Sequence, residues 1–277
     1  MLKQRVITAL VLLAVLVPAM LASDPIWFDA LTLLLMAAGA WEWARLQGLS
    51  ERSARVSGVV MGVLLASTHW SPSMDVDARV VAWLAVIIWL PGTAWMLRHG
   101  LTRWSEVSRT WRLGLGWVVV ALAWWALVAT RAVGLNHLLS VLTLVWAADI
   151  AAYFGGRAFG QRKLAPSISP GKTWAGAVSG ALAVLALGAL WLQLDQRLEL
   201  GSLSIYSVLW QRSPLWWALG GACLVAASVL GDLMESLVKR VAGVKDSSGL
   251  LPGHGGVLDR VDALLPVLPI ALWLSGV

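Results

Sequence analysis

The chain has 277 residues, 59% of them hydrophobic and 13% charged, with a formal net charge of +6. Soluble domains carry about 25% charged residues, so this composition excludes an ordinary soluble fold and predicts an all-α, polytopic integral membrane protein. The single cysteine, Cys223, excludes a disulfide framework and a cysteine zinc site; the bases are scattered between apolar runs without a basic arm, so no nucleic-acid partner is expected.

Residues 1–23 carry a basic tip (Lys3, Arg5), an apolar stretch and a small-residue end, the layout of a signal peptide. The apolar part is long enough to span, and further spans follow, so it reads as a retained first helix. Nine runs reach the roughly 17–25 residues of a transmembrane helix: 6–22, 27–46, 54–71, 79–97, 112–131, 135–154, 174–194, 215–238 and 257–275. With the amino terminus cytoplasmic and the carboxyl terminus outside, 17 of the 21 bases fall on inner segments, leaving Arg79, Arg131, Arg197 and Arg212 outside. That asymmetry is the positive-inside pattern. Trp27, Trp70, Trp95, Trp111, Trp174, Trp191, Trp216, Trp217 and Trp273 lie near predicted helix ends and read as interfacial anchors, while Cys223 reads as a small core residue. No repeat or linker divides the chain. It is expected to be a single transmembrane domain, 1–277, in which 1–134 set topology and pack against lipid or a second copy and 135–277 carry the chemistry.

From Asp149 onward the inner loops change character. The first of them lies in "DIAAYFGGRAFGQRKLAPSISPGKTWAG", Asp149 to Gly176. A charge at the bilayer centre costs about 2.5–3.5 kcal/mol, less near an interface; Asp149 therefore needs a partner, with Arg157 the structural candidate, or a function. Ser169, Pro170, Gly171, Lys172 and Thr173 lead into a helix start, where free N–H groups and a lysine suit a phosphate. The spacing of a P-loop is missing.

In "GDLMESLVKR" the residues Asp232, Glu235, Ser236 and Lys239 fall on one helix face, which is either a salt-bridged seam or the wall of a water-filled cavity. Arg240 and the Lys245–Asp246 pair follow, then "LPGHGGVLDRVD". Its glycines permit positive φ and close approach to a ligand, His254 stands among them, and Asp259 and Asp262 are three residues apart with Arg260 between. Hard carboxylates without a thiolate or histidine cluster suit Mg²⁺, which is held by carboxylates together with substrate phosphates. Phosphoryl or nucleotidyl transfer to or from a lipid headgroup is the chemistry such a set would serve.

"SLVKRVAGVKDSSGLLPGHGGVLDRVD", Ser236 to Asp262, resembles the signature of the phosphatidate cytidylyltransferase (CDP-diacylglycerol synthase) family: Ser-x-apolar-Lys-Arg, four residues, Lys-Asp, a short small-residue stretch, Pro-x-His-Gly-Gly, and Asp-Arg-apolar-Asp. "SPGKTW" and the Asp149 segment are also similar to the family, although Ala175 stands where members commonly carry Glu or Gln. The resemblance implies conversion of CTP and phosphatidate to CDP-diacylglycerol and pyrophosphate by a helical membrane homodimer. It implies Mg²⁺, with a monovalent cation such as K⁺ nearby, and a cytoplasmic active site in a bacterial-type inner membrane. By matching positions Asp232 and Asp259 are the principal metal ligands, and Asp246 either joins them or orients them. Lys239, Arg240, Lys245 and His254 complete the catalytic set, His254 as a hydrogen-bond donor to the leaving group. Substrate contacts fall to Asp149, Ser169, Lys172, Thr173, Ser236, Gly255, Gly256, Arg260 and Asp262. A CTP-dependent lipid or polyprenol kinase is the main alternative; a secondary transporter is the alternative from outside enzymology, disfavoured by the absence of a repeat and by charges gathered at one face.

Overall fold

The structure is a computed structural model that describes residues 2–71 and 76–276. Met1 and Val277, the ends of the expected domain, lie outside the described residues, as does the Lys3 side chain. Eleven helices and one hairpin follow one another: α1 (Leu2–Leu21), α2 (Ile26–Leu46), α3 (Glu51–His69), α4 (Ala78–Glu106), α5 (Arg109–Val133), α6 (Leu135–Phe159), β1 (Lys163–Ala165), β2 (Ser169–Thr173), α7 (Trp174–Arg197), α8 (Ile205–Arg212), α9 (Pro214–Val241), α10 (Leu258–Val261) and α11 (Leu264–Ser275).

Each of the nine apolar runs falls on helix. Several of their starts are set by side-chain oxygens that take up otherwise unpaired N–H groups: Ser50 accepts from Ser53 N, Ser108 from Trp111 N, Thr173 from Gly176 N and Ser213 from Trp216 N, the last with Pro214 in the first turn. The run expected at 257–275 is broken into α10 and α11. Pro266 has no N–H to offer the carbonyl four residues back, so the Asp262 carbonyl is freed and the helix turns there. That carbonyl lies against Gly231 of α9, where a Cβ would overlap it. The small α8 and the β1–β2 hairpin are not foreshadowed by hydropathy, being too short to register as spans.

Among the described residues six helices, α1, α4, α5, α6, α7 and α9, are long and apolar enough to cross a membrane. The other three expected runs are less regular: α2 includes Asp29, Glu42 and Arg45, α3 includes Glu51, Arg52 and Arg55, and α11 has 12 residues. Contacts between helix ends gather several of them at the same end of the bundle. At one end Trp43 Nε1 donates to Arg112 O at 2.9 Å, and Arg5 Nε donates to Gly253 O at 3.1 Å. At the other end Arg131 donates to Met20 O at 3.0 Å, Asn136 to Asp195 at 2.8 Å and Arg212 to Ser275 O at 3.1 Å.

α11 forms the central post, with Leu265 to Ala271 buried without interruption and packed against α4, α5 and α9. Cys223, expected in the core, is instead exposed on α9. Lipid-facing and core-facing positions of a membrane helix are both apolar, so hydropathy does not separate them. Trp27, Trp70, Trp111 and Trp174 are exposed near helix ends, as anchors should be, whereas Trp216 and Trp217 are packed against the core.

Candidate active site

The two polar loops singled out from the sequence meet at one end of the bundle. Asp149 sits ten residues before the end of α6, Lys172 comes from β2, Asp232 from α9 and Asp259 from α10. The hairpin brings the first loop inward: Lys163 pairs opposite Thr173 and Ala165 opposite Ser169, so Lys172 is presented by a strand immediately ahead of α7. Thr173 is buried and spends its hydroxyl oxygen on the Gly176 N–H at 3.1 Å, capping that helix.

A cavity of about 700 Å³ opens between these elements. Four carboxylates line it, Asp149, Asp232, Asp259 and Asp262, and so do four bases, Arg157, Lys163, Lys172 and Arg260. Lys172 Nζ stands 2.5 Å from Asp232 Oδ2, and Ser236 Oγ donates to Asp232 Oδ1 at 3.2 Å. Asp259 is held by four donors: Lys239 Nζ at 2.6 Å on Oδ1, with Ser247 N, Ser247 Oγ and Gly256 N at 2.9, 2.9 and 2.7 Å on Oδ2. Lys239 also bonds Glu235, which is only 3% exposed, at 2.5 Å. The polar stripe of α9 is therefore both a salt-bridged seam, at Glu235 and Lys239, and a cavity wall, at Asp232. Among the described residues, Asp149 and Asp262 have no base within ion-pair distance, and no ion pair joins Asp149 to Arg157.

Of the residues singled out from sequence, Asp149, Ser169, Lys172, Thr173, Asp232, Asp259, Arg260 and Asp262 line this cavity. Ser236 and Lys239 reach it through the carboxylates they bond. Arg240, Lys245 and Asp246 are exposed and lie outside its lining, and His254 is half-buried with its Nδ1 unpartnered, also outside it. The loop is closed there by the Leu251–Gly255 bridge. The glycines answer to the protein's own side chains: Gly255 has φ +83° and lies against Asp259, and a Cβ on Gly256 would overlap Ser247 Oγ and the Glu42 carboxylate.

Sequence reasoning missed Arg157 and Lys163 as cavity bases, and it missed Glu42. Glu42 is completely buried on α2 and accepts hydrogen bonds from Ser248 Oγ and Val257 N on Oε1 and from Ser247 Oγ and Leu258 N on Oε2. Its signal was present, an acid inside the apolar run "AWEWA".

A set of four hard carboxylates, two of them without a base, suits an oxygen-loving cation. Among the described residues no three His, Cys, Asp or Glu side chains close into a metal cage; Mg²⁺ does not need one, since it uses one or two carboxylates and completes its shell with water and substrate phosphates. The cavity bases suit those phosphates.

Comparison with known proteins agrees with this chemistry. The chain is 40% identical to a phosphatidate cytidylyltransferase of Pseudomonas aeruginosa over 282 residues, covering 100% of this chain and 98% of that protein. It is 35% identical to the Haemophilus influenzae protein of the same name, covering 97% and 96%. Similarity extends to a chloroplastic phosphatidate cytidylyltransferase of Arabidopsis thaliana, 30% identical over 85% of this chain and 62% of that one. Residues 3–276 match the sequence model of the Cytidylyltransferase family, and with that span covering both polar loops and every helix around them, the chain belongs to this family.

Proposed function

We propose that the chain is a phosphatidate cytidylyltransferase: CTP and phosphatidate give CDP-diacylglycerol and pyrophosphate. The observation that carries this reading is the cavity in which four acids face four bases at one end of an apolar helix bundle. An apolar groove of about 590 Å³ adjoins it, sharing Leu164, Ala177, Val225 and Val229. A water-soluble nucleotide and a bilayer-held phosphate thus have adjacent places.

A phosphatidate phosphate oxygen forms the new bond to the α-phosphorus of CTP, and the bond from that phosphorus to the β-bridging oxygen breaks, releasing pyrophosphate. A phosphomonoester is largely dianionic at neutral pH, its second pKa being about 6, so it needs no strong general base. Repulsion between two polyanions dominates the barrier; positioning and charge neutralisation lower it. Lys172, Arg260, Arg157 and Lys163 take the phosphate charge. Lys239 holds Asp259 in place, Arg240, Lys245 and His254 act on the approaching triphosphate from outside the cavity lining, and Asp246, next to Ser247, orients the acids that hold the metal. Asp232 and Asp259 would hold Mg²⁺, with the base-free carboxylates Asp149 and Asp262 lining the same cavity, and the ion would supply electrostatic stabilisation of the charge developing on the transferred group; a neighbouring monovalent cation such as K⁺ belongs to the same reading.

The nine-crossing topology, amino end cytoplasmic and carboxyl end outside, is part of this proposal. It is supported by the alternation of helix ends and by Arg5 meeting the loop that carries Asp259. α10 and α11 together make the last crossing. A bacterial-type inner membrane with the site on the cytoplasmic side follows, and the exposed apolar faces of α1 and α3 are available to lipid or to a second copy in a homodimer.

The test is incubation of detergent-purified protein with labelled phosphatidate, Mg²⁺ and either CTP or ATP. CDP-diacylglycerol with equimolar pyrophosphate, from CTP alone and dependent on metal, is expected. Release of CDP would instead identify a kinase.

A further inference from the structure

We propose that Glu42 is a positioning residue of this active site: a fully buried carboxyl group that holds the loop 247–258, and through it Asp259, in working geometry. The inference rests on the cytidylyltransferase reading for what Asp259 does, and on geometry alone for what Glu42 does.

Glu42 comes from α2, more distant in sequence from its partners than any residue lining the cavity is from its neighbours there, and is 0% exposed. Among the described residues no base pairs with it. A buried carboxylate without a cation is sustained only when hydrogen bonds satisfy its oxygens. Here all four donors come from the catalytic loop: Ser248 Oγ at 2.5 Å and Val257 N at 2.9 Å on Oε1, Ser247 Oγ at 3.0 Å and Leu258 N at 2.8 Å on Oε2.

The same loop residues hold Asp259. Ser247 gives it both its N–H and, within reach, the hydroxyl it also offers Glu42; Gly256, wedged against Glu42, gives its N–H. Glu42 therefore fixes one side of a short bridge whose other side is the cavity carboxylate. Burial alone would have been served by an apolar residue, and a salt bridge would have needed a partner. A symmetric acceptor for two backbone N–H groups and two hydroxyls has the use of fixing the backbone that carries them.

Each oxygen of Glu42 has one backbone N–H and one hydroxyl within hydrogen-bond distance, the one Ser247 hydroxyl proton being shared with Asp259. The hydroxyls can rotate, but the N–H groups cannot. In Glu42→Gln the amide NH₂ must face a backbone N–H whichever way it is turned, so an isosteric change breaks the bridge without leaving a cavity. A displacement of catalytic groups by about 1 Å can cost about 100-fold in rate, and a loss of that order in kcat/KM for CTP is expected for Glu42→Gln. Ser248→Ala, which removes one donor to Glu42 and touches nothing in the cavity, is expected to lose less, about fivefold, by the same principle.

Activity is read beside amide hydrogen exchange and thermal unfolding of the detergent-solubilised protein without substrate or metal. Glu42→Gln is expected to exchange faster across 247–259, by about tenfold or more, while α5 and α6 keep wild-type protection. If Glu42 only stabilises the core, the melting temperature falls, 247–259 exchanges as in wild type, and kcat per folded molecule is unchanged; that result overturns the proposal. Should Glu42→Gln fail to fold, Ser248→Ala decides by the same two readouts. A wild-type protein making no CDP-diacylglycerol would overturn the cytidylyltransferase reading, and the exchange comparison would still support or overturn the positioning role.

Discussion

Lys239 stands between two carboxylates, Glu235 and Asp259, and each is short of other cations. Removing one partner of a buried ion pair costs about 3–5 kcal/mol because it strands the remaining charge. Lys239→Met is therefore expected to lower thermal stability by an amount of that order and to abolish turnover, whereas substitution of the exposed Arg240 leaves the melting temperature within error. A melting curve of Lys239→Met that overlays wild type would contradict this account of the seam. Gly256→Ala is expected to be as damaging as Glu42→Gln, since its Cβ has no room between Ser247 and Glu42; wild-type kcat in that variant would mean that the loop tolerates displacement. At this scale the sequence was legible where a charge stands in apolar surroundings and chemistry must explain it. Asp149 and Asp232 stand out that way, Lys172 by its place ahead of a helix start and Asp259 and Asp262 by their spacing after the glycine-rich turn, and all five share one cavity. Glu42 was equally anomalous, but its donors lie 205 to 216 residues away, beyond any local pattern.

The elements show what hydropathy does and does not carry. All nine apolar runs are helical, because in a bilayer each segment must satisfy its own backbone. The β1–β2 hairpin escaped notice, since five residues of "SPGKT" read equally well as a turn, and with it went the expectation that Lys163, on β1, turns toward the site. The break between α10 and α11 follows from Pro266, a residue whose effect is on the carbonyl four positions earlier and not on hydropathy. The hairpin delivers Lys172 only if α7 starts where it does. Thr173→Ala, which loses the cap to Gly176 N, is expected to cost about 1 kcal/mol of stability and to raise KM for CTP more than it lowers kcat. An unchanged KM would detach Lys172 from nucleotide binding.

For the whole molecule the question is which end faces which compartment. In a Cys223→Ser background, Gln161→Cys and Glu199→Cys place single thiols at exposed positions on opposite ends of α7, with Gln161 beside the hairpin that precedes it. A membrane-impermeant maleimide is expected to reach Glu199→Cys in right-side-out vesicles and Gln161→Cys only in inverted ones. The reverse pattern would put the cavity on the wrong side for CTP. The central claim, that the four-acid cavity is where the nucleotide is transferred, is tested most directly by following the α-phosphate of labelled CTP into phosphatidate with wild-type protein and with Asp232→Asn side by side. Removal of one transition-state stabiliser costs about 100- to 1,000-fold in kcat; label is expected in CDP-diacylglycerol with wild type and below about 1% of that rate with a folded Asp232→Asn. Transfer by Asp232→Asn at the wild-type rate would contradict the account, placing the chemistry somewhere other than this cavity.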